Sequence, residues 1–284
     1  MLRSFLFCPA TSERKISKAF DSAADAVIID LEDAVAINEK ATARLSLRDI
    51  LAAPRSKPAY VRVNALTTPF CYEDLKQVAI AARDGIVFPK VEAAADLKTV
   101  DWVLTQLEAE NDCPPGSIQL IPIIETAAGL AAVDQIAKAV PRVRRLAFGA
   151  VDLALDMNLE LDRETGALSH ARFAIALASR MAALDGPIDT AFVDIDALDR
   201  LRETTINARR MGFRGKCCIH PKQIEVVNAV FTPSAEEIDR ARRIVAAFED
   251  AERSGAAAVS LDGLMIDYPV ADKARKLLAS LPKA

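Results

Sequence analysis

Eight short runs of apolar residues, rich in Val, Ile and Phe and separated by longer segments of helical period, limit this chain more than any other feature. They are Ser4–Pro9 (SFLFCP), Ala26–Leu31 (AVIIDL), Ala59–Asn64 (AYVRVN), Gly85–Lys90 (GIVFPK), Ile118–Ile124 (IQLIPII), Arg145–Ala150 (RLAFGA), Asp189–Asp194 (DTAFVD) and Gly215–Pro221 (GKCCIHP). Between them lie amphipathic stretches. In Ala95–Glu108, Leu97, Val100, Val103, Leu104 and Leu107 share one stripe. Thr11 or Ser12 is placed to cap a first helix with Ile16, Ala19, Phe20 and Ala23 facing inward. Leu198, Leu201, Thr205 and Ala208 mark the helix before the eighth run. Strands alternating with helices make repeated βα units on a parallel sheet.

Eight such strands can close on themselves. An open doubly wound sheet would more often follow its first strand with a glycine-rich dinucleotide loop, but the first run ends in Cys8-Pro9-Ala10, and no phosphate-binding G-x-x-x-x-G-K-[ST] occurs. The expected fold class is α/β, a (β/α)8 TIM barrel with extra C-terminal helices. A chain of 284 residues, 51% of them hydrophobic, can bury one such core. Residues 1–230 are expected to form the barrel, and residues 231–284 a helical extension packing on it or on a neighbouring subunit. The stretches Asn111–Gly116 and Leu159–Gly166 read as loops.

The formal net charge is −4, with 36 basic and 40 acidic residues intermixed, which provides no footprint for a nucleic acid. No run of 18 apolar residues appears, and the start turns polar after about nine residues, too soon for a secretory signal. No membrane partner is expected and the location is expected to be cytoplasmic. Five cysteines without C-x-x-C spacing indicate reduced thiols, neither a disulfide framework nor a zinc site.

In a parallel barrel the carboxyl ends of the strands share one face, where the active site lies. Read in order, these ends carry Asp30, Glu32 and Asp33, then Arg62 and Asn64, Lys90, Glu125, Asp152, Asp194 and His220. Converging carboxylates repel one another unless some are protonated or a cation compensates them. With little histidine and no thiolate pattern, a hard cation fits, and one or two carboxylates completed by water and substrate oxygens suit Mg2+, with Mn2+ as a substitute. Glu125 and Asp152 are the candidate metal ligands, although each could instead be an acid at a helix start. Arg62 sits in an otherwise apolar strand. It either pairs with Glu32 or Asp33 or grips a substrate oxygen, and the two roles are compatible. Lys90 and His220 are weaker supporting candidates, since lone strand-end residues often only fix loops.

The stretches RSFLFCPA, VIIDLEDAV, YVRVN, GIVFPKVE, PIIETAAGL, FGAVDLALDM, GKCCIHPKQI and DGLMIDYPV, running from about Leu2 to Ala274, resemble the citrate lyase β-subunit-like branch of the HpcH/HpaI aldolase and citrate lyase family. The resemblance implies that Glu125 and Asp152 ligate Mg2+ and that Arg62 binds substrate oxygen. It further implies that Asp267, from the C-terminal GxMID pattern, is the catalytic acid or base, delivered from a neighbouring subunit. Substrate contacts are implied at Gly149, Ala150 and Val151 as well as at Arg62, Glu125 and Asp152; Glu32, Asp33, Lys90 and His220 remain supporting candidates from their strand-end positions. The implied reaction is Mg2+-dependent cleavage or formation of a 3-hydroxyacyl-CoA thioester, such as malyl-CoA, citramalyl-CoA or citryl-CoA, through an acyl-CoA and a 2-oxo acid. The alternatives are a metal aldolase on free 4-hydroxy-2-oxo acids and a citrate lyase β-type subunit needing an acyl-carrier protein. A homotrimer or hexamer is implied by the same relatives. Read from the residues alone, Asp267 is only an acid before Tyr268-Pro269, placed to cap a helix.

Overall fold

A computed structural model describes residues 2–82, 84–160 and 166–281. The chain divides into two compact units, Leu2–Phe231 and a second beginning at Thr232. In the first, eight parallel strands close into a barrel in sequence order: β1 (Ser4–Pro9), β2 (Ala26–Asp30), β3 (Ala59–Arg62), β4 (Ile86–Phe88), β5 (Leu120–Ile124), β6 (Ala147–Phe148), β7 (Ile188–Asp189) and β8 (Gly215–Cys218). Pairing of Ser4 with Lys216 and Phe5 with Cys217 joins β8 to β1 and removes both sheet edges.

Alternation along each strand sorts the core into two layers. Phe5, Ile28, Tyr60, Val87, Ile121 and Ile188 fill the barrel interior. Leu6, Val27, Val61, Phe88, Ile124 and Cys218 face the surrounding helices. Both faces of the strands are thus buried, which is why they read as continuous apolar runs and not as alternating ones.

The seventh expected strand is displaced. The ladder uses Ile188–Asp189, and the segment from Thr190 leads irregularly into the helix Leu198–Arg210. Asp189 faces outward, where Arg172 Nε donates to it at 2.8 Å and Lys216 Nζ also donates. Both cations are buried with it. Burial alone would raise the pKa of Asp189, but Lys216 and Arg172 together bring it below the ordinary value. This charged triad serves the barrel wall, not its mouth.

Ser12 caps the first helix, Glu13–Asp21, by accepting from the Lys15 N–H. That helix ends before Ala23, which is exposed, and Ala24 takes the buried place instead. Asn111–Gly116 is a turn, whereas most of the second expected loop, 161–165, lies outside the described residues. Among those described, the helix Lys222–Phe231 completes the first unit. The second unit holds helices Ala235–Arg253 and Tyr268–Ala279 and an unforeseen antiparallel hairpin, β9 (Val259–Leu261) with β10 (Leu264–Ile266). No helix among the described residues is long and apolar enough to cross a membrane.

Candidate active site

The carboxyl ends of β2, β3 and β5 place the charged residues. Asp30 and Arg62 are register partners on neighbouring strands, and both fall on the interior phase of the pleat. The Arg62 guanidinium donates from Nε and Nη2 to the two Asp30 oxygens, each at 2.7 Å. Asp30 also accepts from the backbone N–H groups of Glu32 and Ala34, so its carboxylate is fully used. The other guanidinium edge, Nη1, lies 3.1 Å from Glu32 Oε2 and 3.6 Å from Asp33 Oδ2, and the plane sits over the Phe7 ring. Burial opposes the charge on Arg62, yet these carboxylates more than offset it and raise its pKa. The principal partner is thus Asp30. Glu32 is secondary and the exposed Asp33 more distant.

Glu125 directly follows Ile124 and continues the interior phase of Ile121 and Ile123. It is 2% exposed. The helix cap beside it is Thr126, whose hydroxyl accepts from the Gly129 N–H, so Glu125 is released from that duty. Lys90 adopts a left-handed backbone (φ 50°) that turns its N–H onto Glu125 Oε1 at 2.7 Å. Its ammonium pairs with Glu32 Oε1 at 2.9 Å. Burial opposes the ammonium charge, but the bond to Glu32 and the charges of Glu32, Asp33 and Glu125 together raise the pKa of Lys90. An ammonium held in this way is a poor Schiff-base nucleophile.

Asp152 sits in the first turn of the helix Ala150–Asp156, whose N-cap is Gly149. With Glu125, Arg62 and Thr190 it lines a cavity of about 100 Å3 at the barrel mouth. Burial, and then the charges of Asp152 and Glu32, push the Glu125 carboxyl up to about 8. Burial also raises Glu32, one of whose oxygens has no hydrogen bond despite its approach to Arg62. Among the described residues no cluster of three or more His, Cys, Asp or Glu side chains is arranged to hold a metal alone. An ion here would have Glu125 and Asp152 as ligands and take the rest from water and substrate, a set of hard oxygen donors that suits a small divalent cation.

Two of the expected backbone donors are already engaged. Gly149 N–H donates to Ile124 O at 3.1 Å and Ala150 N–H to Thr190 Oγ1 at 3.0 Å. The N–H groups of Val151 and Asp152, in the first helical turn, have no partner within the helix. Thr190 lies just beyond β7 and was not visible as a site residue in the sequence. Its hydroxyl accepts from Ala150, and its own hydrogen remains to donate into the cavity.

The remaining strand-end residues serve structure. Asn64 binds Asp74 Oδ2 through its backbone N–H and amide, and Asp74 also accepts from Arg44. Asp194 is exposed and holds the N–H groups of Asp196 and Ala197 at the start of the next helix, so its reading as a strand-end carboxylate is corrected. His220 Nδ1 accepts from the Lys222 N–H, a loop-fixing contact. Asp267 lies in the second unit, where it caps Tyr268–Ala279 by accepting from the Val270 N–H at 3.2 Å.

Comparison with known proteins agrees with this architecture. The model of the HpcH/HpaI aldolase/citrate lyase family matches residues 3–221, and one described as a C–C bond lyase of the TIM-barrel fold matches residues 174–272. The chain is 35% identical over 278 residues to the citrate lyase subunit beta of Haemophilus influenzae, covering 97% of this chain and 95% of that one. It is 38% identical over 282 residues to the (3S)-malyl-CoA thioesterase of Cereibacter sphaeroides, covering 98% and 93%. The crystal structure of CitE from Mycobacterium tuberculosis in complex with magnesium, acetoacetate and coenzyme A superposes with a TM-score of 0.81 at 33% identity, covering 98% of this chain and 97% of that one. A family match over most of the barrel, together with full-length relatives above 30% identity, places this chain in the HpcH/HpaI aldolase/citrate lyase family.

Proposed function

We propose that this protein is a Mg2+-dependent carbon–carbon lyase that cleaves or forms a 3-hydroxyacyl-CoA thioester of the malyl-CoA, citramalyl-CoA or citryl-CoA type. The observation that carries this reading is the placement of Glu125, Asp152 and Arg62 around one small cavity at the barrel mouth. The relatives with citrate lyase and malyl-CoA names, and the neighbour complexed with magnesium and coenzyme A, support it.

Glu125 and Asp152 would hold Mg2+, with Mn2+ able to substitute, and the bound ion would act as a Lewis acid toward the oxo-acid oxygens. The chain's own residues do the remainder. Asp30 fixes the plane of Arg62, so that the Nη1 edge can stabilise negative charge on the substrate oxygen. Lys90 steadies Glu125 through its N–H and Glu32 through its ammonium. The Thr190 hydroxyl and the N–H groups of Val151 and Asp152 orient the oxo-acid carboxylate, while Gly149 and Ala150 shape that turn. His220 and Asp33 are supporting groups. In cleavage the bond between the carbinol carbon and the thioester α-carbon breaks, the hydroxyl proton passes to solvent as the carbonyl forms, and Asp267 delivers a proton to the α-carbon of the resulting enolate. Delivery of Asp267 from a neighbouring copy requires a homo-oligomer, a trimer or hexamer, which mass measurement in solution tests. The free cysteines support work in a reducing cytoplasm.

Purified protein is expected to cleave malyl-, citramalyl- or citryl-CoA with Mg2+ and to stop in EDTA. Cleavage of free 4-hydroxy-2-oxo acids with the thioesters left intact would replace this reading with the aldolase one. The relative named as a lyase subunit supports a second reading, activity only with an acyl-carrier protein. Gain of activity on adding such a carrier to inactive protein would establish it.

A further inference from the structure

We infer that the 2-oxo acid used at this site is a monocarboxylate bearing hydrogen or a small alkyl group on its carbonyl carbon, and not a dicarboxylate. This rests on the lyase reading above and narrows it. The cavity of about 100 Å3 has room for roughly three water molecules. Its polar side chains are Glu125, Asp152, Arg62 and Thr190, and most of its other side chains are apolar, including Phe7, Ile28, Val87, Ile121 and Ile188. Cys217 belongs to the same lining, and burial keeps its thiol neutral by pushing its pKa up. An oxo acid that turns its carboxylate and keto oxygen to the polar groups must direct its remaining substituent at the apolar lining. Hydrogen, methyl or ethyl meets that lining without loss. A carboxymethyl group would bring a second charge to it unpaired.

The cations present cannot rescue that charge. Arg62 is the only cation lining the cavity among the described residues, and two of its three nitrogens are committed to Asp30 while the third faces Glu32 and Asp33. The Lys90 ammonium is paired with Glu32. The five carboxylates Asp30, Glu32, Asp33, Glu125 and Asp152 stand around the mouth with only these two cations among them. A divalent cation held by Glu125 and Asp152 would compensate part of that acidic set. The first substrate carboxylate would be met by that cation, and a second would add repulsion from these carboxylates with no further cation to pair it. The matching thioesters carry one carboxylate beside the hydroxyl, as malyl and citramalyl thioesters do. A citryl thioester carries an additional one.

Titration calorimetry of the full chain in saturating Mg2+ with pyruvate, 2-oxobutanoate and oxaloacetate tests this directly, because the last two differ only in exchanging a methyl for a carboxylate. Pyruvate and 2-oxobutanoate are expected to bind within about tenfold of each other, and oxaloacetate at least about 30-fold more weakly, the effect of leaving a buried charge unpaired. Oxaloacetate binding as tightly as 2-oxobutanoate, or more tightly, overturns the inference and leaves the lyase reading standing. Binding of none of the three overturns both.

Discussion

Replacing Gly149 by alanine probes the site without removing any charged group. A Cβ built there would lie 2.4 Å from Glu125 Oε2, 2.6 Å from Glu125 Cβ and 3.1 Å from Ile123 Cγ2. The backbone of Gly149 (φ −112°, ψ 87°) is open to alanine, so the conflict is purely one of space. The carboxylate tip could swing aside, but the clash with the Glu125 Cβ forces the β5 end or the turn after β6 to shift. Glu125 then loses its aim at the cavity and strains its bond from the Lys90 N–H. Overpacking of this kind costs about 2 kcal/mol. In a domain of this size that lowers Tm by roughly 4–8 °C. The wild type should gain about 2.7 kcal/mol from Mg2+ at a hundredfold excess over Kd. The variant should need at least about tenfold more Mg2+ for the same gain, since its ligand is displaced. Thermal unfolding followed by circular dichroism across a Mg2+ series, with EDTA as the zero point, measures both effects. A Gly149→Ala protein with wild-type Tm in EDTA and a wild-type Mg2+ response would refute the placement of Glu125 against this turn.

Acid stability offers a check far from the site. Burial opposes ionisation of Glu108, but Arg142 and the N–H groups of Gly116 and Ile118 hold its carboxyl down to about 2. A depressed folded-state pKa contributes stability that is fully present above the unfolded value near 4.5 and is lost as pH falls toward 2. That contribution is about 3 kcal/mol. Glu108→Gln should therefore flatten the fall in Tm over that window, and an unchanged profile would argue against the pairing. At the proposed acid, Asp267→Asn should retain Mg2+ binding and lose most turnover, because asparagine keeps the cap to the Val270 N–H but carries no transferable proton. Full turnover in that variant, measured in the thioester assay, would remove Asp267 from the mechanism.

Local pattern was enough to place most of the barrel. Strands buried on both faces write themselves as continuous apolar runs, and seven of the eight runs overlap their ladders by two residues or more. The seventh failed because Thr190–Phe192 is as apolar as a strand yet lies past the point where β7 leaves the ladder. Glu125, Asp152 and Arg62 stood out in the sequence because a charge beside an apolar strand is conspicuous. Their partners did not. Asp30 lies 32 residues from the guanidinium it fixes, and Thr190 lies 40 residues from the N–H it accepts. The hairpin β9–β10 is too short to carry a periodic signal. Sequence therefore determined the elements and their charged ends, which depend on neighbours along the chain. Only the tertiary structure decided which face of the barrel each charge took, who paired with it, and that Asp189 and Asp194 stay out of the site, because closure of the barrel sets those distances.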